Sequence, residues 1–208
     1  SFKKTQKQNK MIKVVAITGG IGSGKTTLSN HLKKIGYLVH ESDNVVSNMY
    51  AKPNNIFKDF IKKNISQEVV KKNTINKKLI TKVIFNNKEI KTKLEKFIHK
   101  EVQLSRENFI KKNIKAKKKV VFVDIPLLFE KKLEKHFYLV VCIIASKKNR
   151  MRRVLKNKKF TKEILKKVFS TQTTDKERKD RAQIIIYNNK TKKDFISNTF
   201  KALIHLLK

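Results

Sequence analysis

The run Gly19-Gly20-Ile21-Gly22-Ser23-Gly24-Lys25-Thr26 gathers four of the chain's five glycines into six residues. It follows an unbroken β-rich segment, Lys13-Val14-Val15-Ala16-Ile17-Thr18. It precedes Thr26 to Ile35, a stretch of helical character. Strand, glycine loop and helix in that order leave few folds open. The run matches G-x-x-x-x-G-K-[ST], where glycines let backbone N–H groups wrap a phosphate and the helix N-terminus adds positive potential. On this pattern Gly20, Ile21, Gly22, Ser23, Gly24, Lys25, Thr26 and Thr27 are expected to hold the phosphates of ATP. Lys25 would reach the β- and γ-phosphates, and the Thr26 hydroxyl would coordinate Mg²⁺.

The remaining strand signals repeat the first. Tyr37 to His40, Val120 to Asp124 (closed by Pro126), Phe137 to Ala145 and Ile184 to Tyr187 are short apolar runs. Unbroken Val/Ile runs separated by helical stretches predict a parallel sheet covered on both faces. The expected fold is therefore α/β, a P-loop core with a parallel five-stranded sheet flanked by helices. Between Val45 and Lys118 no strand signal stands out, and Leu94, Phe97, Ile98, Val102, Phe109 and Ile110 recur at helical spacings. That stretch reads as a helical insertion. Lys147 to Lys167 reads as a second, strongly basic one. The expected division is a core of 11–45, 119–146 and 172–208, a helical lobe of 46–118 and a lid of 147–171. Residues 1–10 read as an N-terminal extension or an expression remnant.

Charge needs care. Lys+Arg 52 against Asp+Glu 16 gives +36, which suits a polyanionic partner. Only six of the 52 are arginine, the residue fitted to bidentate recognition of phosphates and bases. The lysines are spread along the chain, which favours a solvated basic surface over a dedicated nucleic-acid face. The longest apolar run, Phe137 to Ala145, is far short of the ~20 residues of a membrane span. Cys142, the single cysteine, rules out an intrachain disulfide and reads as a core thiol in a reducing cytoplasm. No His/Cys cluster has metal-ligand spacing, so Mg²⁺ arriving with ATP is the one metal expected.

Beyond the glycine loop, Asp43 follows the second strand. Asp124-Ile125-Pro126-Leu127-Leu128-Phe129-Glu130 follows the third, Arg153 and then Gln172 come further on, and Ile186-Tyr187-Asn188 closes the last strand. With the loop, these segments resemble the dephospho-CoA kinases from about Ile12 to Lys208. The resemblance implies a nucleotide-kinase core, a CoA-binding lobe and a lid. It also implies the reaction ATP plus dephospho-CoA to ADP plus coenzyme A, with phosphorylation at the ribose 3′-hydroxyl. ATP and dephospho-CoA are then the partners expected, with no specific nucleic acid and no membrane, and the chain is expected to be a monomer.

The same resemblance suggests roles. Asp43 would take the acceptor proton or hold Mg²⁺, although an aspartate there also suits a helix N-cap. Asp124 would be the Mg²⁺ carboxylate at a strand end, or simply a polar strand terminus. Arg153 would stabilise the transferring phosphoryl group. His99, Leu127, Leu128 and Glu130 would meet the acceptor, and Asn188 the nucleotide. The two leucines equally suit a core and His99 a structural role. The chain departs from the family pattern at Glu41-Ser42-Asp43 in place of Asp-Ala-Asp, and at Lys100 in place of a proline after His99. Asn157 replaces a second lid arginine, and Gln183 an aspartate. The alternatives to this reading are a kinase of another small acceptor, such as a nucleoside or nucleotide, and a basic nucleic-acid-binding protein.

Overall fold

The computed structural model describes residues 12–71, 74–156 and 160–207. Residues 1–10 and Asn157 lie outside them. The chain divides into two compact units, one running to Glu41 and resuming at Ile110–Lys208, the other Ser42–Phe109.

The first unit is built on five strands: β1 (Lys13–Gly19), β2 (Val39–Glu41), β5 (Val120–Asp124), β6 (Leu139–Ile144) and β7 (Ile184–Tyr187). All pairings are parallel, in the order β2-β5-β1-β6-β7. This is the expected sheet. Val14, Val15, Ala16 and Ile17 of β1 are fully buried because the strand lies at the centre with both faces covered. Helix α1 (Lys25–Lys34) contributes Leu28 and Leu32 to one face, and α9 (Lys192–Leu207) contributes Phe195 and Leu203. They pack on Val15, Ile17, Phe122, Val141, Ile143 and Ile186, the alternate residues that a period of two sends to one side. The direction of strand addition reverses at β1, which makes its C-terminal end a ligand crevice. In register there, Ile17 stands beside Asp124 and Thr18 beside Cys142.

Three further helices of this unit matter for the site: α6 (Lys147–Leu155), α7 (Lys162–Thr171) and α8 (Asp175–Arg181). The single helical stretch expected across 147–167 is thus two helices. Thr161 caps the second by accepting from the Ile164 N–H at 3.3 Å. Thr174 and Glu177 form a capping box that fixes the start of α8.

The second unit comprises α2 (Ser42–Ala51), α3 (Asn55–Asn64), β3 (Val70–Lys71), β4 (Thr74–Ile75), α4 (Lys77–Asn86) and α5 (Lys88–Lys115), the last up to Phe109. Its core joins Phe57, Ile61, Val69, Ile75, Ile80 and Leu94. Phe97 stacks on Phe60 at 4.2 Å and on Phe57 at 5.6 Å. The antiparallel pair of β3 and β4 corrects the expectation of a wholly helical insertion. Two residues per strand are too few for an alternation pattern to register. Lys100 lies inside the unbroken α5, where a proline would cost about 3 kcal/mol.

Candidate active site

The glycine loop leaves β1 at Gly19 and closes on itself through the Ser23 N–H donating to the Gly20 carbonyl at 3.1 Å. Gly22 has φ 73°, a conformation that L side chains rarely adopt. Gly24 precedes α1 with no side-chain cap, so the first-turn N–H groups face the loop uncovered, as an anion requires. Lys25 curls back and its Nζ donates to the Gly19 carbonyl at 3.0 Å. Thr26 is exposed in the first turn of α1, with Thr27 half-buried behind it.

The rear of the loop is held by two residues assigned to ATP by resemblance. Asn188, 7% exposed at the end of β7, donates from Nδ2 to the Ser23 carbonyl at 2.7 Å. One terminal nitrogen of Arg153 donates to the carbonyls of Gly22 and Ser23, and the other to the carbonyl and Oδ1 of Asn188. The structure places both side chains against loop carbonyls. All four of these Arg153 bonds go to protein oxygens. Gln183, where the family has aspartate, accepts the Val140 N–H at 2.7 Å and so ties β6 to the start of β7.

The segment after β5 is anchored by the Ile125 N–H donating to Ile17 and by Thr18 Oγ1 donating to the Ile125 carbonyl. Asp124, 6% exposed, ends the strand beside Ile17. Leu127 is 41% exposed at φ 56°, a strained backbone for a branched side chain. Leu128 is fully buried, its side chain among the core residues. Glu130 accepts the Thr173 N–H at 2.7 Å. Asp43 lies exposed in the first turn of α2, two residues past the end of β2 and one past the first helical residue, so it is not the N-cap. Glu41 is paired with Lys33 at 2.6 Å. His99 is exposed on α5.

Sequence reasoning gave no site role to the residues at the front of the loop. Gln172 Oε1 accepts the Ile21 N–H at 3.1 Å. A Cβ at Gly20 would collide with a terminal nitrogen of Arg150 and lie 3.1 Å from one of Arg178. Arg178 is 4% exposed and bonds Asp175 at 2.7 Å, with Glu130 at 3.9 Å. Burial pushes the Cys142 thiol up to about 12; the charges it feels are those of Arg178, Asp175, Lys25 and Glu130, which therefore converge on this end of β6. A usable signal existed: five of the six arginines fall between 150 and 181 in a chain where lysine is the default cation.

A parallel sheet with a glycine loop at its switch point, a lysine at the loop's end and arginines over it defines a P-loop kinase. The family model for dephospho-CoA kinase (CoaE) matches residues 13–194. The chain belongs to that family. It is 31% identical over 186 residues to a dephospho-CoA kinase of Fusobacterium nucleatum, covering 88% of this chain and 93% of that relative. A dephospho-CoA kinase of Buchnera aphidicola is 34% identical, covering 86% and 83%. The crystal structure of TT1252 from Thermus thermophilus superposes with a TM-score of 0.76 at 26% identity, covering 96% of this chain and all of that one.

Proposed function

We propose that this kinase transfers the γ-phosphoryl group of ATP to the ribose 3′-hydroxyl of dephospho-CoA, releasing ADP and coenzyme A. The observation that carries the reading is the open glycine loop with Lys25 at its rim, in a chain whose family match spans nearly its whole length. In the reaction the acceptor oxygen bonds phosphorus, the bond from phosphorus to the β,γ-bridging oxygen breaks, and the 3′-hydroxyl proton passes to the Asp43 carboxylate. Lys25 leaves the Gly19 carbonyl for the β- and γ-phosphates.

Mg²⁺ fits the donors present. The Thr26 hydroxyl and the Asp124 carboxylate are hard oxygens, and Mg²⁺ is usually held by one or two carboxylates plus substrate phosphates. Among the described residues no three His, Cys, Asp or Glu side chains come together as a metal site. When bound, the ion neutralises charge developing on the phosphates. Asp43 is the second carboxylate proposed for it.

The acceptor's CoA portion is assigned to the 46–118 lobe with His99. There a cavity lined by Met49 and Phe57, with Lys52 at its wall, joins apolar surface to a cation. Leu127 and Glu130 would contact the acceptor from the segment after β5, and 147–171 would act as the lid. No helix among the described residues is long and apolar enough to cross a membrane. A cytoplasmic monomer is the setting proposed. The test is ADP release from ATP–Mg²⁺ with dephospho-CoA, beside nucleosides and nucleotides. Selective turnover is expected, lowered about 1,000-fold in Lys25→Ala and about 100-fold or more in Asp43→Asn. Turnover with another acceptor alone would overturn the substrate, and near-normal turnover of Asp43→Asn its role.

A further inference from the structure

Arg150 is 7% exposed, yet its side chain makes no hydrogen bond among the described residues. Its nearest carboxylate, Asp175, is 3.9 Å away, and Phe169 covers its flat face at 4.8 Å. Burial, countered by Asp175 and reinforced by Arg178, pulls it below the usual guanidinium range. A buried charge without hydrogen-bonded partners costs several kcal/mol, so it persists where an anion completes the site. Arg178 lies beside it, with the Asp175 carboxylate as its one short partner. Of the two carboxylates facing these guanidinium groups, Asp175 and Glu130, only Asp175 comes within hydrogen-bond distance, and of Arg178 alone.

Their position says which anion. Both guanidinium groups crowd Gly20, and Lys25 Nζ sits on the carbonyl of Gly19, the other half of the same peptide. The loop N–H groups cradle the inner phosphates, and the loop lysine reaches the β- and γ-phosphates. Three cationic heads therefore surround the rim where the outermost phosphate comes to lie. We propose that Arg150 and Arg178 bind the γ-phosphoryl group of ATP during transfer, and that Asp175 is the carboxylate that keeps Arg178 oriented until the phosphate takes its place. Resting on the kinase reading, this assigns the phosphoryl contact to the front of the loop, while Arg153 holds the rear.

The consequence is a distinction between triphosphate and diphosphate. Binding of ADP and of the non-hydrolysable triphosphate adenylyl imidodiphosphate is measured by calorimetry for the full chain with Mg²⁺. Arg178→Met and Arg150→Met are expected to weaken the triphosphate about tenfold and leave ADP unchanged, because only the outer phosphate meets these groups. Turnover is expected to fall about 100-fold or more in both. Arg178→Lys, which keeps the charge but not the fork, should lie between wild type and Arg178→Met, and it carries the test if the methionine variant does not fold. Equal losses for the two nucleotides, or no loss for either, would overturn the proposal. No acceptor is present in the binding measurement, so a failure of dephospho-CoA as substrate leaves its result readable.

Discussion

The two sides of the glycine loop use the same residue type to opposite ends. At the rear, Arg153 is spent on carbonyl oxygens of Gly22, Ser23 and Asn188, and Asn188 adds a bond to Ser23. At the front, the Arg150 side chain makes no hydrogen bond among the described residues and Arg178 has one short carboxylate partner. A satisfied arginine shapes backbone; an under-satisfied one is a standing demand for an anion. The difference lies in the donors each side chain has left, more than in net charge, which is +36 across the chain.

The largest effect is expected from the rear. Asn188→Ala removes the donor to the Ser23 carbonyl and an acceptor of Arg153, and buried groups left without partners cost about 2 kcal/mol. Urea unfolding should show that loss, and ATP and ADP should weaken together as the loop loosens. A selective loss of ATP would erase the distinction between the two sides. Next comes Gly20→Ala. Gly20 has no left-handed backbone, so the added methyl tests its collision with Arg150 and its close approach to Arg178, free of backbone strain. Triphosphate binding should weaken about tenfold with the melting temperature nearly unchanged.

The smallest effect concerns Arg181, the second arginine of α8. Arg181 is fully engaged, with the Glu134 carboxylate, the Phe129 carbonyl and the Phe129 ring. Burial pushes Glu134 up, but hydrogen bonds from Arg181 and its own backbone more than reverse this, so the carboxyl titrates below its ordinary 4.5. A carboxyl depressed by folding stabilises fully above the ordinary value and loses that contribution as pH falls through the folded one. Glu134→Gln should therefore be less stable than wild type near neutrality, the gap closing as pH falls below the ordinary 4.5 and through the lower folded value. A gap that persists in acid would mean packing, and not the ion pair, holds that helix.

Much of this was legible in the sequence. The Val/Ile runs announced β1, β5 and β6 because a strand buried on both faces leaves no room for polar alternation, and β2 and β7 followed from shorter apolar runs. The loop announced itself because its glycines and lysine are fixed by chemistry at consecutive positions. What was illegible has physical reasons. The β3/β4 pair is two residues long. Leu128 and Leu127 are neighbours of one type, and only the turn, with φ 56° at Leu127, sends one inward and leaves the other exposed. Arg153 and Arg150 sit one helical turn apart on α6, so resemblance singled out one, while the backbone decided which faces which side of the loop.

Cys142 turns the central sheet into its own timer. The thiol is fully buried and its pKa lies near 12, so it reacts with an alkylating reagent only when β6 opens to solvent. With a single cysteine in the chain, one labelling rate reports one event, the opening of the strand beside the loop. Nucleotide seated on that loop should slow the clock in proportion to its grip, which makes sulfur chemistry a gauge of phosphate binding with no turnover required.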